Sequence, residues 1–185
     1  MKTKGSMVAT LAGFVVERFG NEASEAWLSS LPEATQGVMR SALASSWYSV
    51  QEILILPMRC MCERFFSEDT VCGAKRFGAY AAEHQLTGIY RLALKMGRPN
   101  AVLPLATTTW KMLYSENSMA ITCNEKGRAV LVARGIPLQD PLWGHATAAW
   151  FERALTLAGA ENGSAQVIQT GTIAGNDFEF TIEWR

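Results

Sequence analysis

Hydrophobic positions along the chain keep two different periods, and the change between them divides it. From residue 7 to about residue 114 apolar side chains recur every three or four residues, the spacing of one helix face. Val8, Leu11, Phe14 and Val15 mark a first helix over 7–19, closed by Gly20. Asn21 caps a short second one, EASEAWLSSL, and Pro32 opens a third at its first helical position, running to about Ala44. Ser49 and Glu52 stand three apart, as in a capping box, ahead of a helix predicted for 50–66. Pro57 lies inside that helix and lacks the N–H that Ile53 would accept. It is expected to kink the helix or split it.

Three more helical stretches follow. Asp69 caps one that places Phe77, Tyr80 and Ala81 on one face and ends near His84; a second runs from Thr87 to Met96 and stops at Gly97 and Pro99. A third, about Ala101 to Tyr114, puts Leu103, Ala106, Trp110 and Leu113 on one stripe. The period then shortens to two. MAITC and RAVLVAR flank Asn124 to Gly127, so 119–134 reads as a β-hairpin. Asp140 and Pro141 open a last helix, ended by Gly159, with Trp143, Thr147, Trp150, Ala154 and Leu157 on one face and Phe151 and Leu155 on another. AQVIQTGTI and DFEFTIEW then form a second hairpin. In it Phe178, Phe180, Ile182 and Trp184 alternate with Glu179, Thr181, Glu183 and Arg185, one apolar face and one polar. Burying those four side chains contributes on the order of 6–12 kcal/mol before entropy is counted.

Helices followed by hairpin, helix and hairpin, rather than alternating βαβ units, predict an α+β fold. The helical N-terminal two thirds would pack on a C-terminal antiparallel sheet of about four strands. A length of 185 residues suits one domain over 1–185, with 1–6 disordered, 7–114 the helical layer and 119–185 the hairpin–helix–hairpin unit.

Charge narrows the partners. Lys and Arg number 17 and Asp and Glu number 17, so no net field draws the chain to nucleic acid or an anionic membrane. Lys2 and Lys4 before MVATLAGFVV imitate a secretory signal, but Glu17 and Arg18 follow directly and the spacing is helical. No stretch approaches the roughly 20 apolar residues of a membrane span, and the four cysteines do not look like a disulfide framework. A cytoplasmic protein with reduced thiols is expected.

Candidate chemistry is sparse. Cys60 and Cys62, two apart on a helix, point about 200° from one another, so with Cys72 they read as small apolar side chains rather than metal ligands. His84 and His145 lack a carboxylate or thiol partner at suggestive spacing, and Glu63, Glu68 and Asp69 are accounted for by helix capping. G-x-S-x-G, Walker A, H-E-x-x-H and G-x-G-x-x-G are all missing, so the chain reads as non-catalytic, with no metal and no cofactor. Eight Met and six Trp change the picture more. Met58, Met61, Phe65, Trp110, Leu131 and Trp150 are expected to converge between helices and sheet, either as packed core or as the walls of an adaptable pocket.

Four features carry a family likeness: the first helix ending in Gly20, Trp47 and Tyr48 before the long helix, GIYRLALKMGRP from Gly88 to Pro99, and the finish from Gly175 through Trp184. Together they resemble the superfamily that groups the 4-vinyl protochlorophyllide reductase-like domain, the haem NO-binding domain and the Bet-type TRAPP subunits, closest to a myxobacterial-type branch. That resemblance implies a sensor or adaptor holding a small apolar molecule or lipid in a pocket of some hundreds of cubic ångströms between helices and sheet. Zinc-bearing relatives are similar in placing cysteines in the C-terminal hairpin, but 165–185 has none. The haem-binding branch carries a proximal His and a Tyr-x-Ser-x-Arg motif, which YSENS at 114–118 does not reproduce. Neither metal nor haem is carried over. The alternatives are a protein-interaction module with a solid core, as a homodimer or with a signalling partner, and an enzyme acting on a hydrophobic substrate.

Overall fold

The computed structural model describes residues 1–86, 102–115, 118–136, 140–172 and 175–185. It begins with a strand, β1 (Lys2–Lys4), where disorder was expected. Three residues carry no readable period; the strand exists because of its neighbours. It pairs antiparallel with β2 (Trp47–Ser49), Thr3 opposite Tyr48, and the fully buried Thr3 hydroxyl donates to the Leu113 carbonyl at 2.9 Å.

Helices α1 (Ser6–Phe19), α2 (Asn21–Ser29) and α3 (Glu33–Ser41) follow the expected order. The long helix predicted for 50–66 is divided at its proline. Gln51–Ile55 forms a π-helical turn in which the Leu56 N–H donates to the Gln51 carbonyl, five residues back, and α4 (Leu56–Phe65) continues beyond it. Pro57 offers no N–H to Ile53, so a regular ladder cannot pass this point. The expected capping box does not form: Ser49 is taken into β2 and no side chain caps the turn.

Asp69 caps α5 (Thr70–Gln85), its Oδ1 accepting from the Cys72 N–H at 2.8 Å. The helix expected over 87–96 lies outside the described residues. Helix α6 (Val102–Leu113) follows. The sheet contains β3 (Ser118–Glu125), β4 (Arg128–Ile136), β5 (Ser164–Thr172) and β6 (Gly175–Glu183) in the order β3-β4-β6-β5, with every pair antiparallel. Gly127 turns the first hairpin at φ +83°, a conformation costly for any residue with a side chain. The fold is α+β, with helices concentrated in the N-terminal part and a C-terminal antiparallel sheet of four strands.

Helix α7 (Pro141–Leu157) lies between the sheet and the other helices. Toward the sheet, Phe178 meets Trp143 with ring centroids 5.0 Å apart and Phe180 meets Phe151 at 5.4 Å; Phe178, Phe180, Ile182 and Trp184 are all buried, as the alternation requires. Toward α5 the approach is closer still. A side chain at Gly78 would overlap the carbonyl oxygen of Ala146, so the two helices meet at backbone distance. Asp140 joins α7 to α4: one carboxylate oxygen accepts from the Leu142 N–H at 2.9 Å and the other from Arg59 at 2.6 and 3.1 Å. No helix among the described residues is long and apolar enough to cross a membrane.

Candidate functional site: an interhelical hollow

Where α1, the π-helical turn, α4, α5, α6 and α7 converge, the packing leaves a hollow of about 60 Å³. Small residues line part of it, Gly78 and Ala81 on α5, Ala106 on α6 and Ala146 on α7; the alanines leave space open, while the Ala146 backbone fills the place of a side chain at Gly78. Met7, Leu54, Met58, Phe77, Leu113 and Phe151 add apolar walls, and Trp110, Tyr114, Trp143 and Trp150 frame it with rings. Trp110 stands 4.6 Å from Tyr114 and 5.4 Å from Trp143 between centroids. At roughly 10–15 Å³ per water, the space holds about four to six.

Polar groups at this wall divide sharply. The Gln85 amide is used at both ends, its oxygen accepting from Trp150 Nε1 at 2.9 Å and its nitrogen donating to Met7 Sδ at 3.1 Å. Thr109 Oγ1 and Trp143 Nε1 are buried with no hydrogen-bond partner among the described residues. Each orphaned group costs about 1–3 kcal/mol relative to a satisfied one. Burial pushes the Tyr114 hydroxyl up to about 12, opposed by the nearby Trp143 indole. The Trp143 indole N–H acts on Tyr114 as a weak donor that falls short of full hydrogen-bond geometry.

The six residues expected to converge are split. Met58, Trp110 and Trp150 line the hollow; Met61 is buried away from it, Phe65 stacks on Phe19 at 4.1 Å, and Leu131 is buried in β4 opposite Phe180. The hollow therefore lies between helices rather than between helices and sheet, and it is smaller than the several hundred cubic ångströms expected. Thr109, Trp143, Tyr114 and Gln85 were not singled out. For Thr109 a signal existed: it is a hydroxyl three residues after Ala106 and one before Trp110, on an otherwise apolar stripe.

Titratable groups elsewhere are occupied structurally. The Tyr80 hydroxyl donates to Glu17 at 2.7 Å and is pushed up to about 12, first by burial and then by that carboxylate; His84 stacks on the Tyr80 ring at 3.8 Å. Burial, with Lys75 adding to it, holds His145 below its ordinary range. Burial also raises both thiols of the Cys-Met-Cys stretch, Cys62 to about 12, which keeps them protonated and unreactive. Among the described residues no group of three His, Cys, Asp or Glu could hold a metal ion.

The haem implied by one branch of the resemblance does not fit. The two histidines of the chain, His84 and His145, both lie outside the hollow, and no cysteine lines it. Tyr114 does, but burial favours its protonated form, the opposite of what a phenolate ligand requires. Pockets for large organic ligands run to roughly 300–1,000 Å³, well above this hollow's volume of about 60 Å³.

No family model matches the sequence, and no curated protein is detectably similar to it. Solved structures are similar in fold. The Fe(II) unliganded H-NOX protein from K. algicida aligns with a TM-score of 0.70 at 10% identity, over 98% of this chain and 96% of that one. A Tt H-NOX variant gives 0.68 at 12%, covering 98% and 95%, and a mutant of the T. Tengcongensis H-NOX gives 0.63 at 11%, covering 98% and 97%. The likeness in fold is to the haem NO-binding part of the resemblance; it does not bear out the vinyl reductase part or the myxobacterial-type branch. At these identities it is a likeness of architecture: over nearly its whole length, the chain is built on the fold of the H-NOX proteins.

Proposed function

We propose that the chain is a non-catalytic cytoplasmic sensor or adaptor domain that holds a small apolar molecule in the interhelical hollow. The observation that carries this reading is the hollow itself, apolar and ringed by tryptophans, at the convergence of five helices in a fold shared with H-NOX proteins. Aromatic rings and methionines suit variable apolar ligands, because flat area and unbranched thioethers adapt to shape. A volume of about 60 Å³ favours a compact molecule over a lipid chain. The absence of haem ligands at the hollow separates the proposed ligand from the heme that the H-NOX structures concern in their own proteins. Membership of the myxobacterial-type branch belongs to this proposal and rests on the sequence likeness alone.

Native mass spectrometry of the full chain purified from its own host, compared before and after denaturation and extraction, tests the reading. A stoichiometric apolar molecule lost on denaturation is expected. A chain of apoprotein mass that also leaves tryptophan fluorescence unchanged across a panel of small apolar compounds overturns it.

A further inference from the structure

Two buried donors narrow what the hollow takes. Thr109 Oγ1 and Trp143 Nε1 both belong to residues that frame the cavity, and neither has a hydrogen-bond partner among the described residues. Neighbouring indoles are matched: Trp150 donates to Gln85 and Trp27 to the Pro57 carbonyl at 3.2 Å. An indole N–H can only donate, and a threonine hydroxyl can donate as well, so a group that satisfies both is an acceptor. No charged side chain lines the hollow among the described residues, so a charged ligand would enter unpaired and at high cost.

We propose that the hollow binds a small neutral molecule with one oxygen acceptor, a ketone, aldehyde or alcohol of about four to six heavy atoms. Its oxygen accepts from Trp143 Nε1–H and the Thr109 hydroxyl while its carbon skeleton lies among Met7, Met58, Leu113 and Trp110. Both donors are closed to solvent without ligand, and the unbranched side chains of Met7 and Met58 are the parts of the wall that yield most readily on entry. This inference rests on the reading of the hollow as a ligand site and adds the chemistry of the ligand.

The test uses two probes of one shape, cyclopentanone and methylenecyclopentane, titrated into the full chain labelled with ¹⁵N. The Trp143 indole resonance is assigned by its loss in Trp143→Phe, or by selective labelling if that variant does not fold. Cyclopentanone is expected to bind about tenfold tighter, the worth of roughly one net hydrogen bond, and to move the Trp143 N–H resonance downfield. In Thr109→Val, which keeps the side-chain shape, the preference shrinks. Equal affinity with a stationary Trp143 resonance overturns the acceptor assignment and leaves the ligand-binding reading intact. Failure of both probes to bind overturns both.

Discussion

Thr109 occupies the stripe of Leu103, Ala106, Trp110 and Leu113, where its hydroxyl is buried among apolar neighbours and unmatched. Thr109→Val removes that hydroxyl and keeps the branched shape, so it is expected to raise stability by about 1 kcal/mol, seen as a melting temperature higher by roughly 2–4 °C. A lower melting temperature would show that an ordered water satisfies the group. Tyrosine titration reads the same region. Tyr80 and Tyr114, both pushed up to about 12, should ionise about two pH units later than an ordinary phenol near 10 in a phenolate absorbance titration. Each is favoured in its neutral form by the fold. The stability each contributes is therefore complete below about pH 10 and is lost as pH rises through 12, and Tyr80→Phe and Tyr114→Phe should each remove one late transition. Helical stripes made Met58, Trp110 and Trp150 legible in the sequence. They could not show that Phe65, seven residues after Met58, is drawn to the Phe19 ring instead, because periodicity names a face and not the neighbour that covers it.

Helices α5 and α7 meet at backbone distance where Gly78 faces Ala146. Gly78→Ala places a methyl group on the Ala146 carbonyl, and denaturant unfolding should show a loss of about 3 kcal/mol. Asp140 ties α7 at its start, accepting from the Leu142 N–H and from Arg59. Asp140→Ala is expected to cost about 2–3 kcal/mol, part from the lost cap and part from the ion pair, the latter reduced because Arg59 is half exposed. Asp140→Asn, which keeps the capping oxygen, should cost less. Proline and capping chemistry were partly readable at this scale: Asn21 is the first residue of α2 rather than its cap, but the division near Pro57, the cap at Asp69 and the start of α7 at Asp140 and Pro141 match expectation. The box at Ser49 and Glu52 did not, because pairing with β1 claims Ser49 for a strand that no local pattern announces.

Across the whole molecule, the sheet was the most legible part, since strict alternation in DFEFTIEW leaves a half-buried strand little choice of register. The hollow was the least legible. It depends on how closely Gly78 lets α7 approach and on gaps left by alanines from different helices, and no single stretch of sequence carries that information. The end of α6, one wall of the hollow, is laced to the N-terminal ribbon: Thr3 donates to Leu113, the Ser115 N–H donates to Lys2, and Thr3 pairs with Tyr114. Leu113 and Tyr114 both line the hollow and hold β1. Filling the interior should therefore register in the amide resonances of Lys2–Lys4 and Trp47–Ser49, and silence there during a saturating titration would contradict it. Those two short strands end at the part of the surface where Lys4 rests on the Trp47 ring, so the response is expected to extend there.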